Sequence, residues 1–308
     1  MKPVLALILF QLFSPATSRL SAAPIHALDF DWMRDPHILR HGGSYYLTPT
    51  RLEHIDLGVP GIELWKSDNL TDWQHLGVPW DIDYSSWLKP ASTDTGSTPH
   101  IIAPELYFLD GRWVAVHSTP NGNANLLSGT GEYNEGFHEP FAATLGKRPH
   151  PSIFTDRDRS RWLVWSPATI QKIDPTLSRL EGTPVPLLPA GQSPPTSPCT
   201  IARISDRYVL FTSAWSTGTP EQGTYNLYFS TAKKPAGPYT TPRFAARFCG
   251  GGTPFQDKSG QWWTSASQSG IHEPDPAGGQ TLADNKKPWT INPRGLTLVP
   301  LTVKTTPA

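Results

Sequence analysis

The residues of this chain whose types suit chemistry stand at recurring places. Asp35 opens DPHI, Glu105 lies in APEL, His150 opens HPSIF, and Thr196 and Ser197 precede PCTI. A carboxylate beside proline can take a proton from water, or it can simply cap a strand start. An imidazole titrates near neutral pH, so His150 can serve as a substitute acid or a ligand-binding group, or it can be a packed, hydrogen-bonded residue. A Glu becomes an acid at neutral pH when burial raises its pKa. Otherwise Glu105 would bind a ligand hydroxyl or hold a cation such as Arg34. Thr and Ser hydroxyls such as those of Thr196 and Ser197 are too weakly acidic to act alone as acids.

These residues need elements that bring them together, and the sequence contains such a repeat. The segments 35–50, 103–118, 150–166, 197–213 and 251–267 each run through an apolar strand, a turn around Gly or Asp, and an aromatic-rich strand ending in Ser or Thr. Strands and tight turns recurring at roughly 40–55 residues predict an all-β, five-bladed β-propeller. In that architecture the heads of the copies converge on one axis, so the pocket is expected there. A strand around 295–303 is expected to close the ring. SDNLTDW (67–73) reads as a polar turn anchored by a Trp. The polar stretch from Asp81 to His100 reads as a loop at the pocket mouth.

Composition narrows the function. Lys plus Arg and Asp plus Glu number 26 each, so no charge excess marks a nucleic-acid or anionic-membrane partner. Pro (33) and Gly (25) are abundant, as many short strands and turns require. Residues 1–23 carry a Lys, then an apolar run, then small residues, the pattern of a secretory signal peptide. That leaves 24–308 as one domain and a secreted or periplasmic location as the expectation. Export favours a disulfide between Cys199 and Cys249, which head neighbouring copies; two separate buried thiols are the alternative. No phosphate loop, G-x-S-x-G elbow or trustworthy metal-ligand spacing is present, and no cofactor is expected. Of the twelve Trp, Trp87 and Trp215 lie in or beside loops and are candidates for stacking on sugar faces.

RDPHI (34–38), SDNLTDW (67–73), APEL (103–106), HPSIF (150–154), GPY (237–239) and GGGTPFQDKSGQWW (250–263) occur in an order that resembles family 43 glycoside hydrolases and their near relatives. The resemblance spans nearly the whole mature chain. It implies a carbohydrate substrate and three carboxylates: a base in the DP of the first blade, a tuning Asp at the third head and an acid Glu at the fourth. Asp35 matches the base. His150 stands for the tuning Asp, and Thr196, or Ser197 one residue on, stands for the acid. At the fifth head Gly251 replaces a His that in many relatives is linked to a central metal, which makes a central calcium doubtful here. Arg34, His37, Thr196, Ser197, Trp87 and Trp215 are then candidates for substrate binding, and Glu105 and His150 for the missing acid. Two functions follow: an inverting hydrolase of O-glycosidic bonds with an altered site, or a glycan-binding propeller without catalysis.

Overall fold

The computed structural model describes residues 25–29, 33–54, 57–58, 61–87, 100–129, 131–133, 136–188, 198–215, 225–266 and 295–303. Among them are five antiparallel sheets and no α-helix; the one helical turn is a short 3-10 turn at Ile82–Tyr84. Each sheet is a blade. The inner strands are Met33–His41, Ile102–Leu109, Ser152–Thr155, Cys199–Ile204 and Pro254–Gln256, each followed by the second strand of its copy.

The ring closes differently from the expectation. Gly295–Pro300 is the third strand of blade five, and the outer strand comes from the other end of the chain. Ile25–Asp29 pairs antiparallel with it, Ile25 opposite Leu298 and Asp29 opposite Gly295. Strands from both sides of the sequence thereby share one blade, with Ile25–Asp29 as its outer edge.

Successive strand side chains point to opposite faces, so a strand that is apolar on both faces can serve two interfaces. That is how the core is built. Tyr45 and Leu47 pack with Phe255, Trp263 and Leu296 between blades five and one, while Tyr46 packs with Leu106 and Trp113 between blades one and two. Val114 and Val116 meet Ile153 and Leu163 between blades two and three. Tyr208 and Leu210 face blade three, while Val209 and Phe211 face blade five. Each of the five interfaces has its own cluster.

The SDNLTDW turn is held as its polar residues predict. Ser67 Oγ accepts from the Asn69 and Leu70 amides, Asn69 Oδ1 accepts from the Thr71 and Asp72 amides, and the Trp73 indole donates to the Leu70 carbonyl.

Candidate active site

The heads of the inner strands share an unusual backbone. Asp35, Ala103 and His150 have φ of 45°, 47° and 51°, and Gly251 has 77°. The left-handed region costs a non-glycine residue about 1–3 kcal/mol, and the three non-glycine heads also precede proline. The surrounding structure offsets that strain in a repeated way. The Ala103 amide donates to Thr50 Oγ1 (2.7 Å), the His150 amide to Ser118 Oγ (3.2 Å) and the Gly251 amide to Ser213 Oγ (2.9 Å). Each acceptor ends, or nearly ends, the second strand of the preceding blade. For Thr50, Ser118 and Ser213 this gives a physical reason for the Ser or Thr that closes the copy: its hydroxyl takes the head amide of the next blade. Register jumps from Arg34 to His37 and from Ile102 to Glu105 lift the first two heads out of the ladder, which turns their side chains toward the axis.

Asp35 is half-buried, and its Oδ2 accepts from Thr50 Oγ1 at 2.9 Å. Thr50 therefore bridges the Asp35 carboxylate and the Ala103 amide. The other oxygen leans on blade five: a Cβ on Gly251 would lie 2.6 Å from Asp35 Oδ1. The neighbouring glycines are equally constrained. A Cβ on Gly250 would lie 2.2 Å from the Tyr225 ring, and one on Gly252 would lie 1.7 Å from the Ser265 carbonyl oxygen. Backbone cannot yield as a flexible side chain does, so Gly252→Ala is expected to cost about 3 kcal/mol or more. The check is urea unfolding, where the midpoint should fall with an unchanged slope.

Glu105 is buried two residues past the second head. Burial pushes its carboxyl up to about 7; the negative charge of Asp35 adds to the rise, and hydrogen bonds from Tyr107 and Ser152 oppose it. The Tyr107 hydroxyl donates to Glu105 Oε2 and accepts from the Ile153 amide at 2.9 Å. His150 is half-buried, and its Nδ1 has no hydrogen-bond partner among the described residues. Burial lowers its pKa, and Asp35 pulls the other way. Asp35, Glu105 and His150 all line one axial cavity of about 20 Å³, room for about one water. Among the described residues, blade four lines it with Cys199, Thr200, Phe211, Ser213 and Leu227, and blade five with residues 251–253, none of them acidic.

The other candidates fall into three groups. Thr196 and Ser197 lie outside the described residues; in sequence, Ser197–Pro198 keeps the step of Asp35–Pro36, Ala103–Pro104 and His150–Pro151. His37 and Trp215 are engaged within the protein. His37 is buried, accepts from the Leu106 amide at 3.2 Å and is held neutral by burial, its pKa lowered to about 3. Trp215 is half-buried and stacks on Tyr225 with ring centres 5.0 Å apart. Neither lines the cavity. Arg34 and Trp87 are exposed, and they too are outside the cavity lining.

The disulfide expectation is corrected. Cys199 and Cys249 are free and buried. Cys199 packs between blades three and four and Cys249 between blades four and five, so the blade-four sheet stands between them. Burial pushes the Cys199 thiol up to about 12, which makes it inert as a nucleophile. The site is also poorly suited to a metal. The fifth head supplies no side chain, and no group of three His, Cys, Asp or Glu among the described residues has the placement to hold an ion.

Reading the strand heads alone missed Tyr107, Ser152, Thr200 and Tyr225. One available signal was the two-residue strand period, which puts Tyr107 on the same face as Glu105.

Comparison with known proteins agrees with this architecture. A mutant of the GH43 protein BlXynB from Bacillus licheniformis superposes with a TM-score of 0.62 at 17% identity, covering 77% of this chain and 48% of that one. An exo-1,5-α-L-arabinanase from a bovine ruminal metagenomic library gives 0.59 at 17% identity, covering 76% of this chain and 87% of that one. A xylan β-1,4-xylosidase from Bacillus halodurans gives 0.61 at 18% identity, covering 77% of this chain and 49% of that one. The chain thus spans about half the length of the first and third of these proteins. No curated protein matches the sequence. Residues 30–240 match the family described as glycosyl hydrolases family 43. The chain belongs to that family.

Proposed function

We propose that this protein is an exported glycoside hydrolase that cleaves a terminal O-glycosidic bond of a poly- or oligosaccharide at its axial pocket. Asp35 takes a proton from the attacking water, and Glu105 holds the acid proton. The observation that carries this reading is one cavity bordered by two carboxyl groups, one of them pushed up to about 7. Carboxyl groups with divergent pKa values are how a site keeps an acid and a base at one pH. His150, also at the cavity, contributes polar lining. Export rests on the signal-like residues 1–23. Among the described residues no helix is long and apolar enough to cross a membrane.

One observation favours the second reading, a glycan-binding propeller without turnover. The axial cavity has room for about one water, and among the described residues no carboxyl lines its blade-four and blade-five side.

The test is a panel of aryl α- and β-glycosides, beginning with arabinosides and xylosides because similar structures carry those activities in their names. Proton NMR of the first-formed sugar reports its configuration. Turnover with inversion supports water delivery by Asp35. Retention would mean that a carboxylate attacks the sugar directly. Glycan binding with no turnover of any aryl glycoside would favour the second reading.

A further inference from the structure

One line of hydrogen-bonded side chains runs from blade two to blade four. The Tyr107 hydroxyl donates to Glu105 Oε2 and lies 3.2 Å from Ser152 Oγ. Ser152 Oγ lies 2.8 Å from Thr200 Oγ1. In both hydroxyl pairs either oxygen can be the donor. Both ends of the line border the axial cavity, Glu105 from blade two and Thr200 from blade four.

The direction of this line matters because of where Asp35 sits. Asp35 belongs to blade one, and in a ring of five the blades across from it are three and four. Water delivered from the Asp35 side displaces a leaving oxygen on the opposite side, and that oxygen needs a proton. Among the described residues the blade-four lining offers no acid there, but it offers the Thr200 hydroxyl.

We infer that Glu105, Tyr107, Ser152 and Thr200 form a proton relay that brings the acid proton to the leaving oxygen from the blade-four side. This rests on the hydrolase reading above. With Glu105 protonated, its O–H donates to Tyr107, Tyr107 to Ser152, Ser152 to Thr200, and Thr200 to the glycosidic oxygen. The Tyr107 oxygen then accepts from both Glu105 and the Ile153 amide while donating once, which a hydroxyl can do. As the bond from the anomeric carbon to the leaving oxygen breaks, each hydroxyl passes one proton on and receives one. No hydroxyl is left ionised, so their weak acidity is no obstacle. Glu105 ends as a carboxylate. Water loses a proton to Asp35, and its oxygen bonds to the anomeric carbon. Return of that proton from Asp35 to Glu105 through solvent resets the site.

The experiment is a leaving-group series on whichever aryl glycoside the enzyme accepts, from dinitrophenyl, which departs without acid help, to unsubstituted phenyl and methyl. Thr200→Val and Tyr107→Phe should lower the phenyl and methyl rates on the order of 10²-fold more than the dinitrophenyl rate. Thr200→Ser restores a hydroxyl and should recover them. A merely structural role would lower all substrates together, and that result would overturn the relay. An active wild type whose leaving-group dependence is unchanged in Thr200→Val would overturn the relay alone. A wild type inert toward dinitrophenyl glycosides would overturn the hydrolase reading and the relay with it.

Discussion

Asp35→Asn is expected to lower kcat on a dinitrophenyl glycoside on the order of 10³-fold, with an unchanged unfolding midpoint. Asparagine has the same shape. Its amide oxygen can still accept from Thr50, as Asp35 Oδ2 does at 2.9 Å, so the left-handed head and the Ala103 contact should survive. What it loses is the capacity to take a proton. No neighbour replaces that capacity: Glu105 holds its own proton near neutral pH, and burial lowers the basicity of His150. A dinitrophenyl leaving group makes the test specific to the base, because departure needs no acid. Asp35→Ala offers an independent check. Removing the carboxyl opens space beside Gly251, and added azide should restore turnover by attacking the sugar itself. Near-normal turnover by Asp35→Asn would remove Asp35 from the mechanism. A large loss that azide cannot rescue in Asp35→Ala would move its role from base to scaffold.

The second large effect concerns pH. Burial lifts the Glu105 carboxyl to about 7 from an ordinary 4.5. The acid form is present below that value and lost above it. The rate on phenyl glycosides should therefore fall about tenfold per pH unit above 7, and the dinitrophenyl rate should not. The nearby imidazoles do not explain such a limb, since His37 is lowered to about 3, His117 to about 4, and His150 also shifts downward. Glu105→Gln should abolish the limb and leave a uniformly low phenyl rate. Stability follows the same group. The folded state keeps a proton that the unfolded chain has released, so this contribution is whole below about 4.5 and is lost as pH rises through 7. The change amounts to about 3 kcal/mol for a wholly buried carboxyl. Glu105→Gln should flatten the fall in urea midpoint between pH 5 and 8. A basic limb that persists in Glu105→Gln would mean another group carries the acid proton.

The five copies, their turns and the positions of Asp35, Glu105 and His150 were legible in the sequence because they depend on local rules. Alternation makes strands, Gly and Asp make turns, and an X-Pro step marks the first four heads. The Ser or Thr at the end of each copy was also legible, but the purpose of Thr50, Ser118 and Ser213 was not, since their partners are amides of the next blade. The same limit applies to ring closure. Nothing in Ile25–Asp29 announces that it pairs with Gly295–Pro300, because a strand does not encode which edge it will meet.

The chain by itself determined the blades and the residues at their heads, all properties of neighbouring residues. Only the tertiary structure decided what those heads do to one another. It set Cys199 and Cys249 on opposite faces of a sheet, where they cannot pair. It withdrew His37 into the interface between blades one and two and made the three glycines at 250–252 a wall that a methyl group would breach. It placed Glu105 near Asp35 with Tyr107 on its oxygen. Burial and through-space charge set a proton's affinity, and both depend on groups far apart in sequence that meet only when the ring has closed.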